Sequence, residues 1–302
     1  MANRNRSTQS PLAAATLAWA RRLRARGQLR AWSLLATVFG DIVAVHGGAA
    51  APGALQAILG GLGVEPGALR TAMSRLARDG WIERRRSGRN VLVALSRRAA
   101  VESLAASRSI YALSAPSSPL SIVVAAPGSG RLAARRRATL RPWRCEIAPN
   151  VLMTDDDTAP GIPEGALIAA VEPRRLPSWA LARLGIPELA EALRRLQREA
   201  GKLQMALAAG DDPAAALPAR VLLIHEWRRL ALRLPPLPAA AFPAGWPAAD
   251  CAGAVAALYR QLEESSLQRL AAIAGLGELD RTAFDERWQP AGVDRTDAGT
   301  QL

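Results

Sequence analysis

Leu69-Arg70-Thr71-Ala72-Met73-Ser74-Arg75-Leu76-Ala77-Arg78-Asp79-Gly80 carries the pattern on which the fold turns. At 100° per residue, Leu69, Ala72, Met73 and Leu76 fall on one stripe, the buried face of a helix over about 66–79 that Pro66 opens and Gly80 stops. The opposite face gathers Arg70, Thr71, Ser74, Arg75 and Arg78 and no acid. A solvated helix usually mixes both signs. A helix lying in a DNA major groove instead needs arginine for phosphate or guanine and short hydroxyls for close approach. The face alone fits either environment, and its neighbours decide.

Downstream, residues 81–86 and 89–95 flank Ser87-Gly88, a two-stranded hairpin with a tight turn, and Arg84, Arg85, Arg86 and Arg89 crowd its tip. Upstream, the 3.6-residue pattern gives helices over about 12–26, 29–45 and 52–62. His46-Gly47-Gly48 and Gly60-Gly61-Leu62-Gly63 separate the later ones. Three helices followed by a basic hairpin is the order of a winged helix-turn-helix, in which the third helix enters the major groove and the wing meets backbone or minor groove.

Charge placement agrees. The chain of 302 residues carries a net charge of +13, and residues 1–98 hold sixteen Arg against four acids, a net +12, so the remaining two thirds are nearly neutral. Lys202 is the only lysine, so arginine abundance alone reflects coding bias, whereas its position favours a polyanionic partner for the first third. Half the residues are hydrophobic, as in a folded protein of two or three units.

Several function classes fall away. Cys145 and Cys251 have no Cys or His at ligand spacing, which disfavours a disulfide scaffold and a zinc site and predicts a reducing, cytoplasmic setting. Residues 42–64 lack any charge but are interrupted by glycines, Pro52 and His46, so no membrane span is expected. The first 40 residues have the acid-free composition of a transit peptide, a reading that the ordered helical pattern there opposes. No serine elbow, phosphate loop or dinucleotide fingerprint is present. His225 and Glu226 are adjacent, but helix neighbours diverge by about 100°, so His225 reads as structural. Asp155-Asp156-Asp157 reads as a solvated loop rather than a cation cage. No catalytic residue, metal or cofactor is expected.

The residues also resemble a family. Leu34-Leu35-Ala36-Thr37-Val38-Phe39-Gly40-Asp41, Gly47-Gly48, Leu69 to Leu76 running into Asp79-Gly80-Trp81, and then Gly88-Arg89 and Leu95-Ser96 are similar in order and spacing to the PaaX family, repressors of phenylacetic acid degradation. Leu222-Leu223-Ile224-His225-Glu226-Trp227-Arg228-Arg229, Leu237-Pro238, Gly245-Trp246-Pro247 and Leu258-Tyr259-Arg260 resemble its C-terminal domain. The resemblance implies a double-stranded DNA operator, a homodimer and release by phenylacetyl-CoA or another aryl-CoA thioester. For that effector, Arg228 and Arg229 offer cations to phosphates and Trp227 an apolar surface.

The expected fold is α+β in three parts. After a basic tail and helix (1–28) comes the winged helix (29–98). A middle domain (107–175) follows a Ser-, Ala- and Pro-rich linker at 107–119. Its strands over 120–125 and 144–153, apolar run at 165–171 and helix over 130–140 suit a ferredoxin-like sheet. The family's middle domain resembles the small CRISPR adaptation nucleases, but Ala125-Ala126-Pro127 supply no acid for such chemistry, and Pro142-Trp143-Arg144 replaces the family's usual turn. A helical C-terminal effector and dimer domain (176–274) contains helices over 187–209, 217–234 and 248–274 with a proline-rich loop at 235–247, and 275–302 reads as a mobile tail.

Two other functions compete. One is a non-regulatory RNA or single-strand binding module, which needs exposed aromatics for stacking, whereas Trp19, Trp32, Phe39 and Trp81 mostly sit on apolar faces. The other is an acyl-CoA enzyme.

Overall fold

The computed structural model describes residues 10–88, 90–111, 120–126, 144–154, 165–172, 176–210 and 212–288. Helix α1 spans Pro11–Ala25, with Ser10 accepting from the Ala13 amide and Pro11 at the first turn. Leu12, Thr16, Trp19, Ala20 and Leu23 form its buried stripe. Helix α2 covers Ala31–Asp41, shorter than the 29–45 expected, because a 3₁₀ turn at Val43–Val45 redirects the chain. Gly47 and Gly48, both at positive φ, then deliver the two-residue strand β1, Ala49–Ala50.

Helices α3, Pro52–Gly60, and α4, Pro66–Arg78, each start on proline. The end of α4 is a Schellman motif: the Trp81 amide donates to the Leu76 carbonyl at 2.8 Å, the Gly80 amide donates to Ala77 at 3.0 Å, and Gly80 takes φ +71°. Strands β2, Ile82–Ser87, and β3, Asn90–Leu95, form the hairpin. Ser87 pairs with Asn90, so the turn is one residue later than expected. β1 adds to β3, giving the antiparallel order β1-β3-β2.

Helix α5, Arg97–Ile110, capped by Ser96, was not legible, and it corrects the expected linker start at 107. Its last turn buries Ile110 and leads into buried Tyr111, which is the packing that extends it. Four short strands follow: β4, Leu120–Val124; β5, Arg144–Ala148; β6, Val151–Thr154; and β7, Leu167–Val171. The single strand expected over 144–153 is a hairpin, turned at Pro149-Asn150 with Asn150 at φ +60°. The antiparallel order is β5-β6-β4-β7. The helix expected at 130–140 and the acidic run at 155–157 lie outside the described residues.

The last third is helical: α6, Ser178–Arg183; α7, Ile186–Ala208; α8, Pro213–Ala231; α9, Ala248–Gln261; α10, Glu263–Ala271; and α11, Arg281–Asp285. α8 begins earlier than expected because Asp212 caps it and Pro218 is tolerated near its start. The expected helix over 248–274 breaks between Gln261 and Glu263 into α9 and α10. The proline-rich loop carries a short 3₁₀ turn at Ala239–Ala241, and Leu237 and Ala241 pack with Leu120 and Met153 of the sheet.

Two expectations about organisation are corrected. The first and last thirds share one apolar core, running from Leu12 through Leu35, Leu55, Leu222 and Leu258 to Trp288. α1 and α2 both lie against α8, which is buried nearly all round. The tail expected to be mobile is docked as far as residue 288. Ala51 donates to the Gly275 carbonyl at 2.7 Å, Asp280 donates to Val45 at 2.7 Å, and Phe284 and Trp288 are buried. Its irregular, polar sequence hid this, since its anchors, Phe284, Trp288 and Arg287, meet partners distant in sequence. Among the described residues no helix is long and apolar enough to cross a membrane.

Candidate nucleic-acid interface

α4 is held by its apolar stripe. Leu69, Ala72 and Leu76 are buried, and the helix lies against α2. Arg70, Thr71, Ser74, Arg75 and Arg78 are all exposed on the other side, as the helical wheel expects. Three details qualify that face. Asp79, just past the helix, lies 3.8 Å from both Arg75 and Arg78, so the acid-free stretch ends there in two weak surface pairs. The Arg75 guanidinium also lies 5.1 Å from the Trp32 ring centroid, which braces it. Thr71 donates back to the Gly67 carbonyl at 3.0 Å, so its hydroxyl proton is already engaged within the helix.

The hairpin is fixed to the end of α4. The Ser96 hydroxyl donates to the Gly80 carbonyl at 2.8 Å, and the Ser96 amide donates to Trp81 at 2.9 Å. Pairing alternates the arginines: Arg84 and Arg86 lie on one face and Arg85 on the other, where its Nε donates to Glu83 at 2.9 Å. All three are exposed. Arg89 lies outside the described residues.

The three side chains expected to hold an effector do not converge. Consecutive residues on α8 diverge by about 100°, and the structure sends each into different surroundings. Trp227 is 1% exposed and donates to the Ile110 carbonyl at 2.6 Å, which makes it core. Arg228 donates to the Thr37 hydroxyl at 3.3 Å and lines a cleft behind α4, beside Leu76, Ile82 and Leu95. Burial, and then neighbouring Arg229, lower the Arg228 pKa. Arg229 faces a separate groove between α1, α7 and α8, where its guanidinium donates to Glu226 at 2.6 Å.

His225 is structural, as read. It is fully buried: Nε2 donates to the Gln28 carbonyl at 3.3 Å, and Nδ1 lies 3.1 Å from the Thr37 hydroxyl. Burial first, and then Arg228, depress its pKa to about 3, so it is neutral.

Sequence reasoning missed the group that ties these elements together. Asp41 ends α2, where a negative charge meets the unfavourable end of the helix dipole, and it is 2% exposed. Oδ1 accepts from Tyr111 at 2.6 Å, Tyr259 at 3.0 Å and Arg287 at 3.1 Å. Arg220 NH2 lies 3.1 Å from Oδ2 as a charge pair, and its NH1 donates to Ser266. Burial pushes the Asp41 carboxyl up, but Arg220, Arg287 and the two phenols outweigh it and hold its pKa below the ordinary value. Arg287 also lies 4.6 Å from the Tyr111 ring centroid. One available signal was that Asp41 is the only acid in residues 1–64.

Comparison with known proteins follows the same two ends of the chain. Residues 30–99 match the family described as PaaX-like protein, and residues 185–272 match the PaaX-like protein C-terminal domain. The chain is 28% identical over 290 residues to the transcriptional repressor PaaX of Escherichia coli (strain K12), covering 86% of this chain and 87% of that one. Among solved structures, an uncharacterized protein from Mycobacterium tuberculosis aligns over 74% of this chain and 91% of its own, at 18% identity and a TM-score of 0.42.

Proposed function

The chain belongs to the PaaX family, and from that premise we propose that it is a DNA-binding transcriptional repressor whose α2, α3, α4 and β2–β3 hairpin act as a winged helix-turn-helix. The observation that carries this reading is the exposed set Arg70, Thr71, Ser74, Arg75 and Arg78 on a helix whose other face is buried, next to a hairpin bearing Arg84 and Arg86. α4 enters the major groove, and the hairpin meets the phosphate backbone.

The protein acts as a homodimer on a palindromic operator in the cytoplasm, with half-site spacing set by the dimer. The strand order β5-β6-β4-β7 supports a ferredoxin-like middle domain, since its first strand lies between the third and fourth. The repressor controls an aromatic-compound catabolic operon and is released by an aryl-CoA thioester such as phenylacetyl-CoA, in line with the relative named as a repressor. Release follows if the thioester binds more tightly to a dimer geometry that mismatches the half-sites.

The surroundings of the aromatics count against a single-strand binder. Trp19 and Phe39 are buried, Trp32 is covered by Arg75, and Trp81 lines the cleft behind α4, so the basic third presents no stacking platform among its described residues.

The test is a gel shift with DNA from the region around the protein's own gene and a panel of acyl-CoAs. Sequence-selective binding released by one aryl-CoA ester is the expected result. Binding indifferent to sequence, or unaffected by every ester, contradicts it.

A further inference from the structure

The groove between α1, α7 and α8 is lined by six arginines: Arg22 on α1 and Arg26 just past its end, Arg195 and Arg198 on α7, and Arg229 on α8 with Arg233 just past its end. Three carboxylates share it, Glu188, Glu199 and Glu226, so its formal balance is +3, with Arg22 and Arg26 contributed by the basic first third. The carboxylates hold the guanidiniums in place. Glu199 pairs with Arg22, buried Glu226 pairs with Arg229, and Glu191 beside the groove pairs with Arg195 and Arg198. Arg26 and Arg195 are also near enough to Glu226 to lower its pKa, although burial wins and raises it. The walls include Trp19, Leu23, Leu196 and Leu230, an apolar strip beneath the charges. The cavity is about 320 Å³, within the range of small-molecule sites.

We propose that this groove binds a small molecule carrying two or more phosphate groups together with an apolar portion. Planar guanidinium forks gathered from three helices and the residues just past their ends match phosphate oxygens, and the apolar strip takes the uncharged part. Arg22 and Arg26, on and just past α1, line a groove walled by C-terminal helices and make the site a joint between the first and last thirds. α8 connects it to α4, because its opposite face carries Ile224 and Arg228 into the cleft beside Leu76. A ligand drawn between α1, α7 and α8 therefore acts on the support of the recognition helix. Identifying the ligand with the thioester effector rests on the function proposed above, whereas the phosphate preference rests on the groove.

The experiment titrates the full-length protein calorimetrically, at physiological salt, with coenzyme A, ADP and inorganic pyrophosphate, and follows operator binding in parallel. The variants are the exposed pair Arg195→Ala/Arg198→Ala and, separately, Arg26→Ala, with Arg108→Ala on α5 as control. Coenzyme A is expected to bind the wild type and the control equally and the pair about ten-fold or more weaker, as expected for losing one or two charge-assisted contacts. Pyrophosphate is expected to compete, and ligand-free operator affinity to stay unchanged. Equal binding of coenzyme A to wild type and variants overturns the site while leaving the effector reading intact. Arginine-dependent binding with no operator release by any thioester upholds the site and overturns the effector reading. No binding of any probe at millimolar concentration overturns the site. So does a loss of ligand-free operator affinity in the pair, which would make the groove a DNA contact.

Discussion

Asp41 and Arg220 face each other at 3.1 Å with side chains 1% and 0% exposed, one at the end of α2 and the other in the middle of α8. Such a pair contributes little relative to a well-packed apolar substitute, but breaking it is costly because the surviving charge stays buried. Asp41→Asn leaves Arg220 and Arg287 without their carboxylate and is expected to cost about 3–5 kcal/mol in urea unfolding. A cost below about 1 kcal/mol would mean that the hub does not hold the helices together. Its depressed folded pKa gives stability that is present above the unfolded value near 3.8 and lost as pH falls through the folded value.

His225 sets a second pH dependence in a different window. Its folded pKa, about 3, lies below the unfolded 6.5, so the unfolded chain takes up the proton first. The contribution is full above 6.5 and is lost on acidification, at up to about 1.4 kcal/mol per pH unit, down to about 3. Unfolding free energies of wild type and His225→Gln, compared between pH 7 and pH 4, are expected to change by that slope relative to each other. A difference that stays constant with pH would show that the imidazole protonates freely in the folded state.

On the proposed DNA face, Arg70→Ala is expected to lower operator affinity by about 1–3 kcal/mol with unchanged thermal stability. Arg85→Ala should cost less, because its guanidinium is already shared with Glu83. Fluorescence anisotropy at several salt concentrations checks both. If Arg70 proves silent while Arg85 matters, the opposite side of the hairpin faces the duplex.

Truncation after Ala274 removes Phe284, Trp288 and Arg287 together. Burial of each aromatic is worth about 1.5–3 kcal/mol, so a loss of at least about 3 kcal/mol is expected by denaturant unfolding. Gly277→Val is a gentler version, since a Cβ there meets the His46 carbonyl and has no room. A truncated chain as stable as the full one would contradict the docked arrangement.

Local rules made the first hundred residues readable. Prolines at the starts of α3 and α4, Gly80 at positive φ and the stripe of Leu69, Ala72 and Leu76 each act within a few residues. The exposed arginine face followed from the same arithmetic. What escaped depends on partners distant in sequence. Ile110 and Tyr111 extend α5 because the Trp227 indole and the Asp41 carboxylate wait for them, and Phe284 anchors α11 against Arg220. Trp227, Arg228 and Arg229 were grouped by adjacency, although a helix separates neighbours, and the cationic groove was missed because its members come from three stretches far apart in sequence.

The common interior of the two ends also bears on engineering. DNA-reading heads of many regulators can be cut out and grafted onto foreign sensors, because each head closes over its own apolar centre. Here a graft taken at residue 111 would carry off Leu12, Trp19 and Leu35 and strand Leu222 and Leu258 in water. On the function proposed above, a change of operator preference in this scaffold is made by exchanging side chains on the outer surface of α4, with the rest of the polypeptide left whole.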